Sequence, residues 1–168
     1  MGQTESARQK KKVDRGEPRQ WDESSFFSDL SQRRGEQEAA VARRLVEWAK
    51  KHGLRIWWGQ GKKDGSFFPT YDSTFGQNFL FSIWTYGSVE IQFQHMRRPP
   101  FAEEGKRREL AKRLSAIGVS IPDEALKKRP TFGLRLLLEP GHLDKFVEAF
   151  DWMLSEIKQV ENVGVRPS

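Results

Sequence analysis

The sequence predicts an α+β fold: an antiparallel four-stranded meander plus a fifth strand, packed against helices in a two-layer sandwich. Three observations lead there. Residues 54–95 hold short runs of aromatic and β-branched residues separated by Gly, Asn and Asp, as strands joined by tight turns require. Stretches of 3.6-residue apolar periodicity flank that region on both sides. No apolar run approaches the roughly 18 residues that cross a bilayer, so no membrane span is expected.

Taken in order, residues 1–20 are rich in Lys and Arg and hold little to bury, which predicts a disordered basic tail. The start, Met1 to Ser6, fits the loose N-myristoylation pattern. Trp21 opens a single α+β domain over 21–160. Asp22 caps a short helix bearing Phe26, Phe27 and Leu30. A stronger helix over 36–51 carries Val41, Leu45, Trp48 and Ala49 on one face, and Gly53 stops it. Strands follow at 54–60, 66–72, 77–85 and 89–95. On the third, Phe79, Phe81 and Ile83 share a face opposite Leu80, Ser82, Trp84 and Tyr86. On the fourth, Val89, Ile91 and Phe93 oppose Glu90, Gln92 and Gln94, and His95 points as Phe93 does. Pro99 and Pro100 end the sheet. A helix over about 101–117, a turn at 122–126, a fifth strand at 131–138 buried on both faces, and a helix over 142–160 complete the domain, leaving 161–168 frayed.

Composition narrows the function. With no cysteine in 168 residues, disulfides, thiolate metal sites and thiol catalysis are excluded, and the cytoplasm is the expected location. His52, His95 and His142 are too scattered for a zinc site. Ser24, Ser25 and Ser28 have no nucleophile-elbow context. A net charge of +6 favours a polyanionic partner. Gly59-Gln-Gly-Lys-Lys-Asp-Gly65 is a glycine-rich hairpin with Lys62 and Lys63 at its tip, suited to a phosphate or carboxylate, or a plain solvated turn. Single-stranded nucleic acid is bound by rings that stack bases and cations that track phosphates. Trp57, Trp58, Trp84 and Tyr86 with Lys62, Lys63, Arg97 and Arg98 are therefore the candidate DNA- or RNA-binding residues, supported by Lys106, Arg107 and Arg108. Alternatively, the indoles pack under the helices.

The order helix, strands, helix, strand resembles the core of the PD-(D/E)XK nuclease superfamily. That likeness implies a magnesium-dependent nuclease using Asp72 and Glu90, with Gln92 standing where the superfamily has lysine. The segments WWGQGKKDGSFFP from Trp57 and WTYGSVEIQF from Trp84, with the Phe150-Asp-Trp152 helix, resemble a small domain of unknown function in bacterial proteins. The likeness covers about 21–158 and implies a bacterial, cytoplasmic origin but no reaction. The leading expectation is a non-catalytic nucleic-acid-binding module without a cofactor. Its alternatives are the magnesium-dependent nuclease and a domain that binds a protein partner.

Overall fold

The structure, a computed structural model, describes residues 19–165; the rest of the predicted basic tail, its myristoylation-like start and residues 166–168 lie outside the described residues. The Arg19 N–H donates to Gln60 O at 3.2 Å, which ties the residues before Trp21 to the sheet. Helix α1 (Glu23–Arg34) begins with a closed capping box. Asp22 Oδ1 accepts from the Ser25 N–H at 2.8 Å, and Ser25 Oγ accepts from the Asp22 N–H at 3.0 Å. Gly35, at φ 92°, turns the chain sharply into α2 (Glu36–Lys51), a conformation that a Cβ would strain. The predicted bounds of α2 match those observed.

Six strands form one antiparallel sheet: β1 (Arg55–Trp58), β2 (Ser66–Ser73), β3 (Gly76–Phe79), β4 (Phe81–Trp84), β5 (Ser88–Ile91) and β6 (Thr131–Gly133). The spatial order is β1-β2-β4-β5-β6, with β3 pairing the far half of β2, so the connectivity is a meander with β6 added at the edge. Strands β3 and β4 are one predicted strand broken at Leu80. The register is Thr70↔Phe79 beyond the break but Phe67↔Ile83 before it, so one extra residue is inserted. Pro69 accounts for the position. Its carbonyl accepts from Leu80 N at 3.3 Å, so its missing N–H faces the same neighbour, and the ladder loses a donor there. The resulting bulge resets the alternation. Phe79 turns away from the core, against expectation, while Leu80, Phe81 and Ile83 are all fully buried.

Helices α1 and α2 and the last helix, α4 (His142–Val165), cover one side of the sheet. Phe67 meets Phe26 at 5.1 Å, and Phe81 sits between Trp48 at 6.3 Å, Phe146 at 4.9 Å and Phe150 at 4.9 Å. Helix α3 (Glu104–Leu114) packs on α4, with Phe101 edge-on to Trp152 at 5.6 Å. Among the described residues, no helix is long and apolar enough to cross a membrane.

Three boundaries differ from expectation for identifiable reasons. The fifth strand ends at Gly133, where Leu134 N bonds Gly87 O at 2.8 Å. The apolar run then becomes a 3₁₀ turn, Leu134–Leu138, that buries Leu134 and Leu137 against α2 and α4. The fourth strand stops at Ile91, and Phe93–His95 is likewise 3₁₀. The last helix continues through Val165 because Glu161 is tied to the β2–β3 turn: its carboxylate accepts from the Tyr71 hydroxyl and from the Thr74 N–H, the latter at 2.8 Å. Burial first, and then Glu161, push the Tyr71 phenol up to about 12.

Because Phe81 is completely buried among three other rings, Phe81→Ala should destabilise the domain by about 3–5 kcal/mol. Urea denaturation should register this as a lower midpoint at an unchanged slope.

Candidate functional site

Strand alternation sends every second side chain to the face opposite the helices, and on that face the rings join into a branched chain. Trp57 meets Phe68 at 5.0 Å, Phe68 meets Phe79 at 5.8 Å and Trp84 at 6.5 Å, and Trp84 stacks on Tyr86 at 5.7 Å with an interplanar angle of 29°. Phe79 reaches His95 at 6.0 Å. Trp57 and Tyr86, at opposite ends of the chain, are each 42 % exposed. Burial, with Arg129 and Arg97 nearby, holds the His95 imidazole below its ordinary value, so it is neutral at pH 7. Burial and the carboxylates of Glu90 and Asp64 raise the Tyr86 phenol, which stays protonated.

Beside the rings lies a small polar network. Trp84 Nε1 donates to Ser82 Oγ at 3.1 Å, and Gln92 Nε2 donates to Ser82 Oγ at 2.9 Å and to Glu90 Oε1 at 3.0 Å. Ser82 Oγ in turn donates to Glu90 Oε1 at 3.3 Å, and the Arg129 guanidinium lies 3.9 Å from that oxygen. Ser82 and Gln92 are fully buried, yet Gln92 Oε1 has no hydrogen-bond partner.

The predicted site residues divide between locations. Trp57, Trp84 and Tyr86 belong to the ring chain. Trp58, adjacent to Trp57, necessarily faces the other way and packs on Phe26 at 5.7 Å and Phe67 at 5.6 Å, so it is not available to a ligand on the open face. Lys62 and Lys63 are exposed at the β1–β2 turn, whereas Arg97 and Arg98 lie at the opposite end, where Arg98 packs over Gly76. The two groups are separated by the length of the eight-residue β2, on the order of 25 Å at about 3.3 Å per residue. Among the described residues, no carboxylate pairs with any of these four cations.

The supporting cluster is structural. Arg107 is buried and donates to Leu126 O at 2.9 Å and to Phe101 O and Ala102 O at 2.8 Å, Lys106 pairs with Glu156, and Arg108 pairs with Glu104 and Asp123. The glycine loop likewise serves the fold. A Cβ on Gly65 would lie 2.5 Å from the Trp21 ring, and Trp21 Nε1 donates to Gly61 O at 2.7 Å. The close approach that glycine permits is thus occupied by Trp21 rather than by a phosphate. His95 lies by Phe79 on the open face, away from the buried Phe93. Phe68, Phe79, Ser82 and Arg129 were not among the predicted site residues.

Asp72 and Glu90 do not form one site. The register sets Glu90 opposite Ser82, beside Phe68, and Asp72 lies four residues farther along β2, on the order of 15 Å away from strand spacings of about 3.3 and 4.8 Å. Asp72 is held by Arg55 through two hydrogen bonds of 3.0 and 2.9 Å. Gln92, where a nuclease of the suggested type would have lysine, brings a neutral amide. Among the described residues, no three His, Asp or Glu side chains are grouped to hold a metal ion. A cleft lies away from the sheet, between α2 and α4, beside Arg44, Trp48, Leu143 and Val147. No protein-family model, curated protein or solved structure matches the chain.

Arg55 lowers the Asp72 pKa, so the pair stabilises the fold above the unfolded carboxylate value, about 3.9, and is lost as pH falls through the lower folded value. Both groups are half exposed, which limits the effect to about 1 kcal/mol or less. Asp72→Asn should therefore be slightly less stable than the parent at pH 7 and converge with it near pH 2, as measured by urea titrations across that range.

Proposed function

We propose that this chain is a non-catalytic module that binds single-stranded DNA or RNA by stacking bases on the open face of the sheet. The observation that carries this reading is the connected ring chain, exposed at Trp57 and at Tyr86, on a face that no helix covers among the described residues. Base–ring stacking uses only π-faces, which unpaired bases present and a duplex conceals.

The separated cations fit the same picture. With Lys62 and Lys63 at one end of the sheet and Arg97 and Arg98 at the other, a strand laid across the rings would meet positive charge on entering and on leaving. Among the described residues none of these cations must first break an ion pair to engage a phosphate, and their gain would come from counterion release. A binding role also accommodates the distance between Asp72 and Glu90, which a cleavage mechanism shared by the two would not.

Fluorescence anisotropy with labelled ten-nucleotide strands tests this reading. Binding at low salt should exceed that of the matching duplex. Trp57→Ala and Tyr86→Ala should each cost about 1–3 kcal/mol, and replacing both Lys62 and Lys63 by Ala should make the log K versus log salt slope shallower by about 1.4. The strands should stay intact with Mg²⁺. If neither DNA nor RNA binds at low salt, the proposal fails, and a partner protein on the same rings becomes the reading to pursue.

A further inference from the structure

We infer that the Ser82–Glu90–Gln92 network makes the open face selective for guanine within a single strand, an inference that rests on the proposed binding of nucleic acid. A carboxylate set in a face that receives a polyanion weakens every phosphate contact nearby unless it takes a hydrogen-bond donor in return. Glu90 is such a carboxylate. Its side chain is only 13 % exposed, and the nearest cation among the described residues is Arg129, 3.9 Å away. It is also held in place: Ser82 Oγ and Gln92 Nε2 both donate to Oε1, and Ser82 is in turn fixed by Trp84 Nε1. The other oxygen, Oε2, accepts no hydrogen bond among the described residues.

The network is short of donors in a second place. Gln92 is fully buried, and its Oε1 is unpartnered. Exchanging the amide N and O would not cure this, because the oxygen would then face the Glu90 carboxylate. The cluster is therefore short of donors, and Glu90 is the member that presents its unfilled oxygen beside rings on which a base would stack.

The edges of the bases differ in how they meet a carboxylate. Guanine presents two adjacent donors, N1–H and the N2 amine, parallel and spaced for the two oxygens. Adenine and cytosine each set a ring acceptor beside their one amine, and uracil and thymine flank a single N–H with two carbonyls. In each of these, a lone pair would face the carboxylate charge. Only guanine brings two donors and no lone pair to the carboxylate, filling the open Oε2 and sharing Oε1 with Ser82 and Gln92, and discrimination from such a two-donor contact is commonly about tenfold or more. Trp84 and Tyr86 are the rings next to Glu90, since Trp84 bonds the Ser82 that bonds Glu90, and the Glu90 charge acts on Tyr86.

The test is anisotropy with ten-nucleotide uridine strands carrying one central guanosine, adenosine, cytidine, inosine or 7-deazaguanosine. The guanosine strand should bind about tenfold tighter than all-uridine, adenosine or cytidine strands. Inosine, which lacks the N2 amine, should lose most of that gain, and 7-deazaguanosine, whose donor edge is intact, should keep it. Glu90→Gln, checked for folding by its thermal melt, should bind guanosine and adenosine strands within twofold of each other. A parent protein that binds every strand alike overturns the selectivity, as does a folded Glu90→Gln that retains the preference. If the strands bind alike but Trp57→Ala weakens them all, this inference falls and the binding module stands; if nothing binds, both fall.

Discussion

Because Pro69 offers no N–H toward its neighbouring strand, the β2 ladder cannot continue past it in one register, and the partner strand absorbs an extra residue at Leu80. Both faces of the sheet depend on that shift. Before it, Phe81 and Ile83 face the helices, and Leu80 is buried beside them. After it, Phe79 is released to the open face, where it links Phe68 to His95. In a strand without the bulge, Phe79 would point to the same side as Phe81. The core would then have one more large ring to accommodate, and the outer chain of rings would lose its branch.

Much of this architecture was legible in the sequence because local chemistry decides it. The Asp22 cap, the bounds of α2 between Gly35 and Gly53, and the meander of short strands follow from side chains acting on their own backbone. What escaped depends on partners distant in sequence. Strict alternation assigned Phe79 to the core because the missing donor lies on another strand, at Pro69. The glycines at 59, 61 and 65 suit a phosphate loop by composition, and only tertiary contact reveals that the close approach is taken by Ser66 at Gly59, by the Asp64 carbonyl at Gly61 and by Trp21 at Gly65. The 131–138 run has the composition of a buried strand, but Leu134 and Leu137 at i,i+3 spacing serve a 3₁₀ turn equally well. At the site, Trp57, Trp84 and Tyr86 could be named in advance, whereas Trp58 could have been set aside, since adjacent strand residues take opposite faces.

The charge pattern shows why net charge alone locates nothing. Three of the seven basic side chains named from the sequence are spent inside the fold or in pairs, Arg107 on three carbonyls, Lys106 on Glu156 and Arg108 on Glu104 and Asp123, and elsewhere Arg55 is taken by Asp72 and Arg33 by Asp29 and Asp64. Exposed pairs of this kind contribute little stability each, but they neutralise the surface where they form. The cations that no carboxylate pairs among the described residues, at the two ends of the sheet, are the ones a polyanion could engage at no loss to the fold.

A sheet also differs from a loop as a place to present rings. Trp57 and Phe68 are directly paired across β1 and β2, and the opposite side of β2 carries Phe67, packed on Phe26 and Trp58. The backbone beneath each outer ring is thus fixed by an inner one, and little order remains to be imposed when a ligand arrives. The cost falls on solvation, because Trp57 and Tyr86 keep apolar surface in water. The same polar network limits that cost: by drawing Trp84 Nε1 and Gln92 Nε2 onto Ser82, it keeps hydrogen-bonding groups at the centre of an otherwise aromatic face. A centre that is polar and anionic, with aromatic flanks, disfavours featureless apolar contact, and under the proposed reading the ligand that suits it brings both a flat ring and a pair of donors.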